Sequence, residues 1–548
     1  MPAAKVSTAT AADAGSDDEP VAAPAVRRST RVASKPTVAK AVAEPTKPAA
    51  RSKKAKNVSS EMEELEDKMR SAKIGSGKGK DTGLKPEPKP KPPKELKEPK
   101  EPYFNPLPAV EPPLRPTPLL FTWGCGNSGQ FGAGIEQLGE QTKPQRNKLV
   151  ESMVAQGKFG EEGAGLEAIA AGGMSSLFID EQGTVWSCGA NDNAALGRET
   201  EGVPDPQDKN KVLDEDYLCS TPFPIQSLVD EGFRVGRVAA GDSIAAAIST
   251  KGELRVWGTF RAMEGLLGFS GTQKHQYQPI PVVNLMSKPG DAERFVDVVA
   301  GNDHVVVLTT HGNIYTWGTG ERGQLGRKVL ERHKLKATTP ERIVIGTRTN
   351  KAIYVGAGSY ASFAVDAVGT VWGWGANSTG QAGTGFRTGD DREVHTPKKV
   401  VGLSMAELGD DDEAVCQIAG GDDHTLFLTS YGRVFACGLS IGGQLGLADD
   451  DEAFHERTFP DFLDTPALVT FPDEDDPVVQ ISAGPRTSMA ITSKGALYMW
   501  GEGSQSELGA GDEEMLKTPK AIVRKDGGYT AVMGACGGQH ALALLQKK

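Results

Sequence analysis

A hairpin punctuated by three glycines recurs along the chain, and it constrains the fold more than any other feature. In residues 299–326 it reads as a buried strand at 305–309, a turn ending at Gly312, a second strand at 314–317 and a Gly-rich loop closing at Gly326. β-Branched and aromatic runs on either side of a Gly-bearing turn predict a β-hairpin, and the unit repeats with a period of about 60 residues. The glycine after the second strand falls at Gly124, Gly189, Gly258, Gly318, Gly375, Gly438 and Gly501, which gives seven copies. All seven tryptophans lie in the second strands, where large apolar rings are expected to pack between neighbouring sheets.

The first copy begins near Leu119 and lacks its front half, which appears instead at residues 533–545. A copy divided between the two ends of the chain predicts that C-terminal strands complete the N-terminal sheet and leave no open sheet edge. The expected fold is therefore all-β, a seven-bladed β-propeller closed by pairing of the N- and C-terminal strands. An open solenoid is the alternative, but it would not need a divided first repeat.

Residues 1–115 differ in kind. They are rich in Ala, Pro, Lys and Ser and nearly lack aromatics, so they cannot bury enough apolar surface to offset the entropy of ordering. The expected division is a disordered tail over 1–115 and a propeller over 116–548. Residues 1–102 hold 22 Lys+Arg against 15 Asp+Glu, whereas the rest holds 39 against 57. A basic tail thus precedes an acidic domain, whose loop runs at 410–413, 449–452 and 473–476 predict a negative rim that favours a basic partner. In the tail, Arg51, Lys53, Lys54 and Lys56 form a compact basic cluster, suited to nuclear import through an importin and to contact with DNA phosphates. The six cysteines are scattered, with no C-x-x-C, so neither a zinc site nor a disulfide framework is signalled. No apolar run is long enough to span a bilayer, so no membrane association is expected.

What the copies share is scaffold, so candidate functional residues are those that differ at matched positions. The informative positions lie in the loop before the first strand of each hairpin. There stand Asp242, Asn302, Asp303, His304, Asp422, Asp423, His424 and His540, which a propeller would gather on one face. Histidine occupies three of the seven copies, so the scaffold does not require it; it is open either to hydrogen bonding within its own blade or to a partner. A second asymmetry concerns the loop after the second strand. Its two glycines are eight residues apart in six copies but ten apart in the third, Gly258 to Gly268. The extra residues, around Phe260, Arg261 and Glu264, predict a projecting finger beside the Asp242 loop. A third is the basic loop 326–336, with Arg327, Arg332 and Lys334 as candidate contacts to an anionic partner. No Ser/His/Asp or Cys/His order with catalytic spacing and no Walker-type phosphate loop is present, so a hydrolytic enzyme is disfavoured and no cofactor or metal is expected.

The motifs W-G-T-F-R (257–261), A-G-N-D-H (300–304), G-Q-L-G-R (323–327), G-G-D-D-H (420–424) and G-G-Q-H (537–540) resemble those of the regulator of chromosome condensation family, in a fungal-type version. The resemblance spans about 119–545. It implies a nuclear guanine-nucleotide exchange factor for the small GTPase Ran, acting on chromatin by protein contact without covalent chemistry. It also implies roles for single residues. Asp303 matches the aspartate most important for exchange, and Asp242 and His424 match other residues of the GTPase-binding face. Residues 260–268 match a wedge pressed on the GTPase. Arg327 matches a basic contact, and the loop after it matches a histone-binding loop. Ser175, Ile244 and Asn127 depart from the family pattern, and the loop after Arg327 is short.

Overall fold

The computed structural model describes residues 103–548 apart from 111, 209, 286–290, 387–388, 411 and 456. The basic cluster Arg51, Lys53, Lys54 and Lys56 lies outside the described residues. All described residues fall in one compact unit, Pro93–Lys548.

The repeated hairpins become antiparallel four-stranded meanders. Five are separate sheets, and two more are joined by one parallel bridge, Ala357 to Ala419. In the first sheet the strand order is Glu140–Arg146, Leu119–Cys125, His540–Lys547, Tyr529–Cys536. The start of the repeat region therefore pairs with its end, with Leu119 opposite Leu545 and Gly124 opposite His540.

Strands such as Ile244–Ser249, His304–Thr309 and His424–Thr429 are buried along their whole length. Both faces of each are covered by other sheets, which explains why these strands read as continuous apolar runs rather than as an alternation. The glycine ending the second strand has a steric cause. Gly318 has φ 119°, and a Cβ there would lie 2.4 Å from the Asp303 carbonyl oxygen.

The loops that precede the buried strands hydrogen-bond from one sheet to the next. Asp242 N–H donates to the Asn302 carbonyl (3.1 Å), Asn302 to Ser359 (3.0 Å), Ser359 to Gly421 (3.1 Å) and Asp422 to Pro485 (2.9 Å); Gly173 N–H donates to Gly241 and Gly538 N–H to Gly172. The position of Pro485 has no N–H to pass on. These loops surround a cavity of about 150 Å³.

The segment from Tyr103 to Arg115, expected in the tail, is fastened to the sheets. The Asn105 side chain is buried and donates to the carbonyls of Thr309 and Ala352, both at 3.0 Å. Arg115 makes a two-bond ion pair with Glu181 at 2.8 Å. Leu107 also packs against the core and Pro108 is buried, so single anchors spaced along a proline-rich segment order it, and they leave no periodic apolar pattern in the sequence.

Candidate functional site

Asp242, Asn302 and Asp422 all line the cavity at the centre of the linked loops, and Asp303 follows Asn302 in the same loop. Beside them stands the finger. Residues Arg261–Ala262 pair with Gly265–Leu266 as a two-stranded ribbon, Arg261 opposite Leu266, with Met263 and Glu264 at the tip. Met263 is 76% exposed and Leu266 44% exposed. The finger is thus a short hairpin that projects, as the glycine spacing predicts, and it presents apolar side chains to solvent.

The finger belongs to the third sheet but is held by the fourth. Arg261 N–H donates to Asp303 Oδ1 at 2.6 Å, Thr319 Oγ1–H donates to the Arg261 carbonyl at 2.8 Å, and Met263 N–H donates to Glu321 Oε2 at 2.8 Å. The Arg261 guanidinium lies 3.7 Å from Asp242 Oδ2. Burial pushes the Asp303 carboxyl up to about 7; neighbouring Asp242 and Glu321 push in the same direction, and the Arg261 N–H and guanidinium oppose them. Burial also raises Asp422, with Asp423 adding to it. The site is therefore a group of carboxylates of which two titrate above their ordinary range, next to an apolar-tipped hairpin.

Four of the expected contact residues are interior. Phe260 is fully buried, stacked on Phe269 at 6.4 Å and packed in one cluster with Trp317; it roots the finger instead of probing a partner. His304, His424 and His540 are fully buried, and each Nε2 bonds a serine of the next sheet: Ser362 at 2.7 Å, Ser488 at 2.9 Å and Ser176 at 2.8 Å. Each serine hydroxyl in turn donates to a carbonyl, those of Gln324, Gln444 and Gln130. A hydroxyl that donates there must accept from histidine, so Nε2 carries the proton. Burial drives His304 and His424 down to about 4 and His540 to about 3, so all three are neutral. They are bolts between sheets. Neither sequence alternative, a bond within the blade or a partner contact, describes them.

The basic loop is also partly committed to the scaffold. Arg327 is half-buried, 3.1 Å from Glu341, and its guanidinium donates to the Ala337 and Thr339 carbonyls. The residues after it form a 3-10 helix, Glu331–Thr338. Lys334 reaches Glu264 of the finger and Glu331, both at 2.8 Å, whereas Arg332 is exposed. The loop and the finger thus make one continuous knuckle. Of the acidic runs, Glu413 and Asp476 are buried: Glu413 accepts two bonds from Arg433, and Asp476 accepts from Thr492 and Ser493. These two residues are structural and do not belong to a solvated rim.

The profile of the RCC1-like domain matches residues 119–543. The chain belongs to the RCC1-like family. Protein pim1 of Schizosaccharomyces pombe is 33% identical over 443 residues, covering 78% of this chain and 75% of that protein. Guanine nucleotide exchange factor SRM1 of Saccharomyces cerevisiae is 31% identical over 445 residues, 77% of this chain and 86% of its own length. The crystal structure of Prp20p from Saccharomyces cerevisiae, reported with its binding properties to Gsp1p and histones, superposes with TM-score 0.66 and 29% identity over 79% of this chain and 92% of that one. The chain is accordingly an RCC1-like β protein. Among the described residues no helix is long and apolar enough to cross a membrane.

Proposed function

We propose that this RCC1-like chain is a guanine-nucleotide exchange factor for a Ran-type small GTPase, working in the nucleus on chromatin. Its scaffold would be a closed seven-bladed propeller. The seven meanders, the Leu119–Leu545 pairing and the bonds between successive central loops support that reading. The observation that carries the function is the finger: an exposed apolar hairpin beside Asp303 and Asp242, in a chain 31% identical to a named exchange factor. A partner that binds the nucleotide-free GTPase more tightly than the loaded one must weaken nucleotide binding by the same factor. A 10⁵-fold weakening needs about 7 kcal/mol. The finger and the cavity-lining carboxylates Asp242 and Asp422 supply contacts of the required kind, apolar insertion and capture of cationic groups, without a covalent step.

Chromatin contact falls to the basic tail and to the exposed side of the 327–336 loop, where Arg332, bonded only to its neighbour His333 among the described residues, faces solvent and can meet an acidic surface, while Lys334 is already paired. The cluster Arg51, Lys53, Lys54 and Lys56 would be read by an importin. The test is release of a fluorescent GDP analogue from a Ran-type GTPase on adding the full chain. Acceleration by several orders of magnitude is expected, together with its loss when residues 263–266 are replaced by a Gly-Ser turn. Binding without acceleration would instead identify a scaffold that engages chromatin or signalling partners.

A further inference from the structure

Three hydrogen bonds at the root of the finger close on one another. Thr319 N–H donates to the Asp303 carbonyl (2.8 Å), Thr319 Oγ1–H donates to the Arg261 carbonyl (2.8 Å), and Arg261 N–H donates to Asp303 Oδ1 (2.6 Å). Both polar groups of the Arg261 peptide backbone are thereby clamped by two residues of the next sheet. The Arg261 guanidinium turns away to Asp242, and Glu321 takes the next amide but one, that of Met263. Thr319 is buried, 5% exposed, and cannot itself reach a partner. We infer that Asp303 acts on nucleotide release as a positioning residue: its side-chain oxygen, fastened to the Arg261 amide within the Thr319 triangle, sets the angle at which the finger projects. The inference rests on the exchange reading of this site and adds a division of labour to it. The finger meets the partner, and Asp303 aims the finger.

The chemistry of that bond separates this role from a charge offered directly to the GTPase. An amide donor needs an oxygen acceptor and does not need a full negative charge, which agrees with a carboxyl already pushed up to about 7. Asp303→Asn keeps a side-chain oxygen at the same distance from the backbone. Asp303→Ala removes it. Thr319→Val keeps shape and removes only the hydroxyl that closes the triangle.

In the full chain, Asp303→Ala should lower the plateau rate of GDP release at saturating GTPase by about 100-fold, the cost of a misplaced reacting group, while leaving the half-saturating GTPase concentration nearly unchanged. Asp303→Asn should stay within about fivefold of wild type, the difference between a charged and a neutral acceptor. Thr319→Val should lower the same plateau rate by about tenfold. Hydrogen exchange at the Arg261 amide gives a reading independent of activity: protected in the wild type and in Asp303→Asn, unprotected in Asp303→Ala. Equal losses in Asp303→Asn and Asp303→Ala, or a wild-type rate in Thr319→Val, would overturn the inference in favour of direct charge contact. If the wild type itself fails to accelerate release, the exchange reading fails, and amide exchange still reports whether the brace exists.

Discussion

Trp257 and Trp317 hold the same place in adjacent sheets and are both fully buried, yet they meet different neighbours. The Trp257 indole N–H donates to the Ala195 carbonyl of the preceding loop at 2.8 Å. The same bond runs from Trp123 to Glu507, Trp374 to Gln324 and Trp500 to Gln444, and the thiols of Cys188 and Cys437 approach Gln130 and Gln381 in the same way. In each case the accepting residue lies two positions before the closing glycine. In the loop ahead of Trp317 that residue is Leu266, carried out into the finger and 44% exposed. Phe260 and Phe269 pack against Trp317 in its stead. Two inserted residues therefore exchange a hydrogen-bonded cap for an aromatic root, and the backbone released from capping becomes the projecting hairpin.

The largest expected effect on stability breaks that root. Phe260→Ala should destabilise the domain by about 3–5 kcal/mol, since a buried ring is lost and the cavity beneath the finger cannot collapse onto a loop cap. Denaturant midpoints at constant m value would measure it. Ala195→Gly at the matched capped loop should cost far less, about 1 kcal/mol or below, because the Trp257 bond is made by a carbonyl that survives the change. Equal losses at the two sites would mean that the finger is not rooted by its aromatic pair.

A smaller effect concerns the other side of the same sheet, where His304 bolts it to the next one. Ser362→Ala removes the acceptor and leaves a buried imidazole N–H unpaired, at about 1–3 kcal/mol. Acid should imitate the change at all three bolts. The folded histidines titrate at about 4, 4 and 3, well below the unfolded value near 6.5. Between those limits the unfolded chain binds protons that the native state cannot, so stability rises with pH and is lost as pH falls from about 6.5 toward 4. Asp303 has the opposite sign, because its raised carboxyl favours the folded state as pH falls through 7 toward 4. The difference between His424→Gln and wild type isolates one bolt: the variant's stability should fall less steeply across that window.

How much of this was legible in the sequence follows the same contrast. Glycine spacing exposed the finger because an insertion breaks a period, and the divided first copy foretold the pairing of Leu119 with Leu545. From the sequence Phe260 reads as part of the projecting finger, because it adjoins the exposed tip. Only the carbonyl that Trp317 lost explains why a ring must turn inward there. The histidines' roles do not show within any one copy, because their partners sit in the next copy. Ser176, Ser362 and Ser488 each follow a His-bearing copy at the matched position, whereas Ala245, Val305, Thr425 and Ala541 follow copies that lack histidine. That offset pairing was present in the sequence and needed only the neighbouring register to be seen. Asn105 left no comparable trace, since one buried amide in a proline-rich segment has no period.

The smallest expected effect separates the two ends of the finger. Its root is clamped by backbone bonds and the Met263 amide at its tip is held by Glu321, whereas the tip side chain Glu264 is tied by Lys334, an exposed pair that holds the Glu264 carboxyl below its ordinary range. Ion pairs of this kind contribute little and weaken with salt, because water and counterions replace the partner at almost equal free energy. Glu264→Gln should therefore leave thermal stability unchanged and alter stimulated GDP release by no more than about twofold, with the difference vanishing in high salt. A loss comparable to that of Asp303→Ala would show that the tip pair, and not the backbone brace, decides where the finger points, and Lys334 would then join the two halves of the knuckle into one moving part.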